Sequence, residues 1–405
     1  MSTYQNVIIE REYLCHNTDT IQALKHEQYS LPGVVVGVTP KILKCMNTMA
    51  KSFLVGCAAL CGGATASVAC TGISLTAKDG SYIQARTIEG SALKLISEYV
   101  IIPRGQELQS YTPNAVNGLK FTAKYGVVGL CVVQKEFIAE GINEAGLSTG
   151  LFFFPGYGSY LPYNPAEASR SVGDLQLNAW MLSQFATVEE VMQAIGSNQI
   201  RVVGLDAEAV VHYRIGDKSG RQVVLEFVDG VPHFYENTVG VITNSPGFSW
   251  HLANLNNYVN LFPGSAPNQL LGEQALSPFG GNSGMLGLPG DATPPSRFVR
   301  AAFFRNTAPQ QPDGFSTITQ CFHILNNFDI PIGIEHKAGQ GPNIPSGTQW
   351  TSAIDLTGGK VYYKTMYNNN IRCIDVKSID FGKVKYQWHP MDKSETQPVE
   401  MVKLN

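Results

Sequence analysis

From residue 70 onward, apolar and polar positions alternate with period two over short stretches, the pattern of half-buried strands. Ile73-Ser74-Leu75-Thr76 and Ser81-Tyr82-Ile83-Gln84-Ala85 alternate on either side of Lys78-Asp79-Gly80. Asp-Gly between two such runs predicts a β-hairpin whose second strand returns Arg86 to the side of Cys70. Further strands are predicted at 95–103, 124–133, 209–215, 221–228 and 239–243, the last ending at Asn244. Three closing strands are predicted at 350–356, 360–365 and 371–376. Helical patterns cover 175–185 and 315–326, and Thr187-Val188-Glu189-Glu190 reads as a capping box opening a helix through Ile195. Antiparallel hairpins at both ends with helices between them predict an α+β fold of two stacked sheets flanked by helices.

Composition narrows the possibilities. The 405 residues are 44% hydrophobic and 15% charged, enough apolar surface for a sizeable core and too little charge for a disordered chain. Forty glycines and 22 prolines favour a turn-rich, sheet-rich architecture over a helical bundle. A net charge of −3 gives no basic field for nucleic acid or an anionic membrane. None of Cys70, Cys131, Cys321 and Cys373 forms a CxxC pair, and no Cys/His cluster has zinc spacing, so neither a metal site nor a disulfide framework is expected. No glycine-rich phosphate loop occurs, and no histidine after residue 70 lies in an HExxH or nucleophile-elbow pattern. No cofactor is implied.

The segment before Cys70 has its own logic. Lys41, Lys44 and Lys51 precede an apolar, small-residue run from Phe53 that ends in Ser67-Val68-Ala69. A basic region, an apolar region and small residues at −3 and −1 form a secretory signal, with cleavage expected after Ala69. Residues 46–69 are thus expected to be a signal peptide, with translation starting at Met46 or Met49, and residues 1–45 a non-native upstream extension. Residues 70–405 would be a single domain, exported to the periplasm or the extracellular space and without a membrane span. Two rivals stand beside this reading: a buried or membrane-spanning helix, and a lipoprotein signal around Leu54-Val55-Gly56-Cys57.

A chain that begins at Cys70 carries a thiol and a free α-amine on one residue, which titrate near 8.5 and about 7.7–8.0 respectively. That is a nucleophile with its own base, needing no separate histidine. Arg86 beside it would favour the thiolate, and Glu89 could hold either the α-amine or Arg86.

Cys-Thr-Gly at a processed N-terminus, followed by Lys-Asp-Gly and Arg-Thr-Ile-Glu, resembles the choloylglycine hydrolases, the bile salt hydrolases and penicillin V acylases of the N-terminal nucleophile superfamily. The segments TNSPGFSWHLANLNNY (243–258), GLPGDATPPSRFVRAAFFR (287–305), CFHILNNFDIPIG (321–333) and VYYKTMYNNN (361–370) extend the resemblance over nearly all of residues 70–375. It implies a four-layer αββα sandwich, hydrolysis of a linear amide by an N-terminal cysteine, and a homotetramer. It further implies Cys70 as nucleophile, Arg86 and Arg297 as arginines against the thiol and the anionic intermediate, and Asn244 as an oxyanion donor. Glu89 stands where the family usually has aspartate, which keeps the carboxylate but moves it one methylene outward. The second oxyanion position falls on Phe153, where the family's polar side chain is absent and the main-chain N–H would donate instead. Phe152, Phe154 and Tyr157 are candidates to line an apolar groove for a steroid. The favoured substrates are glycine- or taurine-conjugated bile salts. The alternatives are penicillin V or N-acyl homoserine lactones, and, in another class, a non-catalytic surface lipoprotein or binding protein with Cys70 blocked.

Overall fold

A computed structural model describes residues 69–404, except 91–94, 114, 207–208 and 337–345. All of them belong to the unit Ser52–Asn405. Apart from Ala69, the expected signal peptide and the upstream extension lie outside the described residues.

Two antiparallel sheets carry the fold. Their strands, in chain order, are β1 (Cys70–Thr76), β2 (Tyr82–Gly90), β3 (Ser97–Ile102), β4 (Val127–Val132), β5 (Ile138–Asn143), β6 (Leu147–Phe153) and β7 (Val211–Asp217). They continue with β8 (Gln222–Val228), β9 (Val231–Glu236), β10 (Val241–Ile242), β11 (Gly347–Asp355), β12 (Lys360–Thr365), β13 (Asn368–Asp375) and β14 (Gln387–Pro390). Sheet one is six-stranded in the order β10-β1-β2-β11-β12-β13, and sheet two is eight-stranded in the order β9-β8-β7-β6-β5-β4-β3-β14. Helices α1 (Leu177–Gln184) and α2 (Val188–Gly196) pack on sheet two, while α4 (Pro294–Thr307) and α5 (Gly314–Leu325) pack on sheet one. The short α3 (Phe248–Asn254) lies against α4. The result is the αββα sandwich that the sequence led us to expect.

The β1–β2 hairpin forms as the Asp-Gly signal required. Its strands pair from Cys70↔Ile88 to Thr76↔Tyr82, and Gly80 takes a φ of +88° in the connecting turn. Ser81 N–H closes on Asp79 Oδ1 at 2.9 Å. All nine residues of β2 are buried, because sheet two covers one face and helix α5 the other. Central strands covered on both sides lose clean alternation, which is why β5 and β6, with the apolar runs Phe-Ile-Ala and Leu-Phe-Phe, escape the period-two pattern. At Thr187 the capping expectation holds in altered form. Its hydroxyl accepts Glu190 N–H at 3.2 Å, while the Glu190 carboxylate reaches Ala186 N–H instead of the cap residue's own.

The two sheets are cross-linked by buried polar side chains as well as by apolar contact. Gln84 Nε2 and Tyr82 OH both donate to Gln222 Oε1, at 2.9 and 3.0 Å. Arg214 from β7 donates to Ile73 O and Ala85 O of sheet one at 3.2 and 3.0 Å. Gly72 is needed where β1 meets Phe152 of the other sheet: a Cβ there would sit 2.8 Å from Phe152 Cζ and from Ile242 Cγ2 on the neighbouring strand.

Candidate active site

Cys70 opens β1 and is 1% exposed. The groups that surround it fall into two sets.

The first set comes from α4 and the turn after β10. Asn244 Oδ1 accepts Cys70 N–H at 2.8 Å and Arg297 Nη2–H at 2.7 Å. Two donors on one oxygen orient the amide, and its Nδ2 then donates to Phe153 O at 2.8 Å. An amide nitrogen carries two hydrogens, so one is left for a substrate oxygen. Arg297 is fully buried; beyond Asn244 it donates to Cys70 O, to Thr71 Oγ1 at 2.9 Å and, through Nε, to Ala292 O at 2.8 Å. Pro294 at the start of α4 and Thr293 before it set the helix so that the arginine one turn in points back at β1.

The second set lies between the sheets. Arg86 donates to Ala139 O at 3.1 Å and Leu151 O at 2.5 Å, and its guanidinium carbon sits 4.1 Å from the Phe152 ring centroid. Its carboxylate partner is Glu140 on β5, at 3.7 Å, which also binds Arg214 Nη2 at 2.5 Å. All three charged side chains are completely buried. Glu89 takes no part in this triad. Its carboxylate accepts the Thr348 hydroxyl at 3.1 Å, its second oxygen is buried, and its main-chain N–H binds Ala69 O at 3.0 Å.

Burial is the dominant influence on the Cys70 thiol. Desolvation pushes the Cys70 thiol above its usual range, and Arg86, Arg297 and the Phe153 main-chain N–H only partly counter it, while Glu89 adds to the rise. Among these opposing influences Arg86 is the foremost in favour of thiolate, the direction expected from the sequence. Burial also lifts the Glu89 carboxyl to about 8, against the pull of Arg297.

Of the three aromatic residues proposed for a groove, Phe152 is packed under Arg86 in the inter-sheet layer and Phe154 is buried against His212. Tyr157 is 54% exposed, its ring 6.1 Å from that of Phe154. Sequence reasoning missed Glu140, Arg214, His212 and Glu226. The signal was present in Phe-Ile-Ala-Glu-Gly and Val-His-Tyr-Arg-Ile, where single charged or polar residues interrupt runs that otherwise read as core.

The four described cysteines are free. Among the described residues, no group of three or more His, Cys, Asp or Glu could hold a metal ion, and no helix is long and apolar enough to cross a membrane.

A thiol at the head of an inner strand, an amide aimed beside it and an αββα sandwich around them define an amide hydrolase of the N-terminal nucleophile class. The chain belongs to the choloylglycine hydrolase family of linear amide C–N hydrolases, whose profile matches residues 70–394. A bile salt hydrolase/transferase of Clostridium perfringens is 33% identical over 323 residues, 78% of this chain and 95% of that protein. The crystal structure of a cysteine-to-alanine variant of conjugated bile acid hydrolase from Clostridium perfringens superposes with a TM-score of 0.72 at 30% identity, covering 82% of this chain and 100% of the other. A penicillin V acylase of Pectobacterium atrosepticum is 27% identical over 303 residues, 68% of this chain and 73% of that protein.

Proposed function

We propose that the chain, once it begins at Cys70, hydrolyses the amide bond of glycine- or taurine-conjugated bile salts. The observation that carries this is Asn244, whose oxygen is fixed by Cys70 N–H and Arg297 while its nitrogen faces the Phe153 segment. After cleavage the Cys70 nitrogen becomes an α-amine, and it takes the thiol proton. The thiolate attacks the amide carbonyl. Asn244 Nδ2 and the main-chain N–H of Phe153 hold the oxyanion, and removal of one such donor costs typically about 2.7–4 kcal/mol of transition-state stabilisation. The α-ammonium protonates the leaving glycine or taurine, and water then releases the bile acid from the thioester.

The bile salt hydrolase relatives and the start of the family match at Cys70 support this substrate and this start point. Residues 46–69 act in this reading as a signal peptide, placing the protein in the periplasm or outside the cell, and the working form is a homotetramer. Edman sequencing of native protein checks the first point, since recovery of the segment YQNVIIE contradicts a start at Met46 or Met49. The penicillin V acylase relative supports a second reading, acylase action on penicillin V. Parallel assays with taurocholate and penicillin V separate them: faster turnover of taurocholate is expected, and negligible taurocholate hydrolysis with robust penicillin V cleavage reverses the assignment.

A further inference from the structure

We infer that His212 is a positioning residue that locks the two oxyanion donors, one at the end of β6 and one in the turn after β10, into one preorganised site. The inference deepens the reading of Cys70 as an amide-hydrolase nucleophile and rests on it.

His212 lies on β7, buried in the layer between the sheets. Its Nε2 is 3.1 Å from Thr243 O, the carbonyl that immediately precedes Asn244. Its ring lies face to face on Phe154, with centroids 4.4 Å apart and planes 1° from parallel, and edge-on to Phe152 at 6.2 Å. Both chain neighbours of Phe153 therefore pack on one imidazole. That imidazole is the same group that grips the peptide entering Asn244.

The ring is itself held. Nδ1 is 3.1 Å from Glu226 Oε1, and the same oxygen accepts Phe248 N–H at 2.8 Å. Glu226 thus ties the far end of the 243–248 turn to the histidine that holds its near end. On the other side of Asn244, His251 Nε2 is 2.9 Å from Asn244 O, and its ring stacks on Phe298, next to Arg297, at 4.5 Å. With the carbonyls of residues 243 and 244 both pinned, the peptide planes flanking the Asn244 Cα are fixed. Cys70 N–H and Arg297 then fix its side chain.

His251 reaches only the Asn244 half of the site, and His212 alone of the two reaches both. Both nitrogens of His212 face oxygen acceptors, so neither directs a lone pair at the thiol, and a role as general base is not its chemistry. Its contribution is geometric. Misplacement of a reacting group by about 1 Å can cost roughly 100-fold in rate.

The test exploits the two nitrogens. His212→Asn places an amide near Nδ1, keeps the Glu226 contact and abandons Thr243 O; His212→Gln places an amide near Nε2 and keeps Thr243 O. His212→Asn is expected to lower kcat roughly 100-fold with KM nearly unchanged, and His212→Gln to recover to within about tenfold of the parent. Alkylation of Cys70 by iodoacetamide should proceed at the parental rate in both. Equal losses in the two variants, or a loss expressed in KM, would show a merely structural role and overturn the proposal. Should either variant fail to fold, Phe154→Leu removes the stack and leaves the Thr243 contact; a kcat loss of about tenfold supports the coupling, and an unchanged kcat sinks it. The assays use taurocholate and penicillin V side by side. Parent activity confined to penicillin V refutes the bile-salt assignment, and the comparison of variants is then read on that substrate.

Discussion

The two arginines beside Cys70 do different work. Arg297 touches the main chain of Cys70 and the side-chain amide of Asn244, so it sets where the proposed nucleophile and oxyanion donor lie. Arg86 spends its donors on the carbonyls of Ala139 and Leu151 and pairs with Glu140, so it acts on the thiol by charge and on the fold by bridging the sheets. Both guanidiniums pull the thiol's titration down, Arg86 more than Arg297, but only Arg297 also fixes the groups around Cys70 through hydrogen bonds. The difference follows from the side of β1 each approaches: Arg297 comes from the helix layer, Arg86 from the layer between the sheets.

The largest expected effect tests the inter-sheet half. Glu140→Gln keeps the shape but leaves Arg86 and Arg214 as buried charges without a carboxylate. Such a loss costs roughly 3–5 kcal/mol, and chemical denaturation should show it as a large drop in the unfolding midpoint. A midpoint within error of the parent would mean the triad does not hold the sheets together.

Next in size is the helix-side arginine. Arg297→Lys preserves the charge and removes the fork that serves Cys70 O, Thr71 Oγ1 and Asn244 Oδ1 at once. Turnover should fall roughly 100-fold while the pH dependence of Cys70 alkylation stays near that of the parent. A displaced alkylation profile with intact turnover would show Arg297 acting by charge alone and undo the contrast.

Arg86→Gln tests the opposite arm and should move the thiol's titration further up, because a charge that opposes the burial effect has gone. Arg86→Lys should restore much of it. Iodoacetamide pH–rate profiles read both, and the profile should shift to higher pH only in the glutamine variant.

A separate effect, read on stability against pH, concerns Glu89. Its folded-state titration is raised to about 8 from 4.5, so the folded chain keeps a proton that the unfolded chain gives up. Stability should therefore decline as pH rises through that window, and Glu89→Gln should flatten the decline. Parallel Tm-against-pH curves for the two proteins would contradict the placement of this carboxyl.

The same contrast between local and cross-sheet contacts governs how much of the molecule is legible in its sequence. The β1–β2 hairpin is legible because Asp-Gly and alternation are local signals, and Cys70, Arg86 and Glu89 come with it. Strand β12 is legible to the residue, Lys360–Thr365, because the β-branched and aromatic run Val361-Tyr362-Tyr363 follows directly on the turn residues Thr357-Gly358-Gly359. Helix α4 is not: two prolines and a polar first turn hide it, although Arg297 within it stands out through the family resemblance. Glu140 and His212 escape notice for a physical reason. Arg86 and Thr243 belong to the other sheet and the turn that leaves it, Arg214 and Glu226 lie on other strands of the same sheet, and no one-dimensional spacing records such contacts.

In the proposed reaction Cys70, as the first residue of the working chain, forms a thioester with its substrate. Intact-mass spectrometry of native protein, acid-quenched during taurocholate turnover and peptide-mapped, tests it in one measurement. A chain starting at Cys70 is expected, part of it carrying one cholyl group on that residue. An active chain that retains Ala69 or anything before it, or a turnover-dependent adduct on another residue, would contradict it.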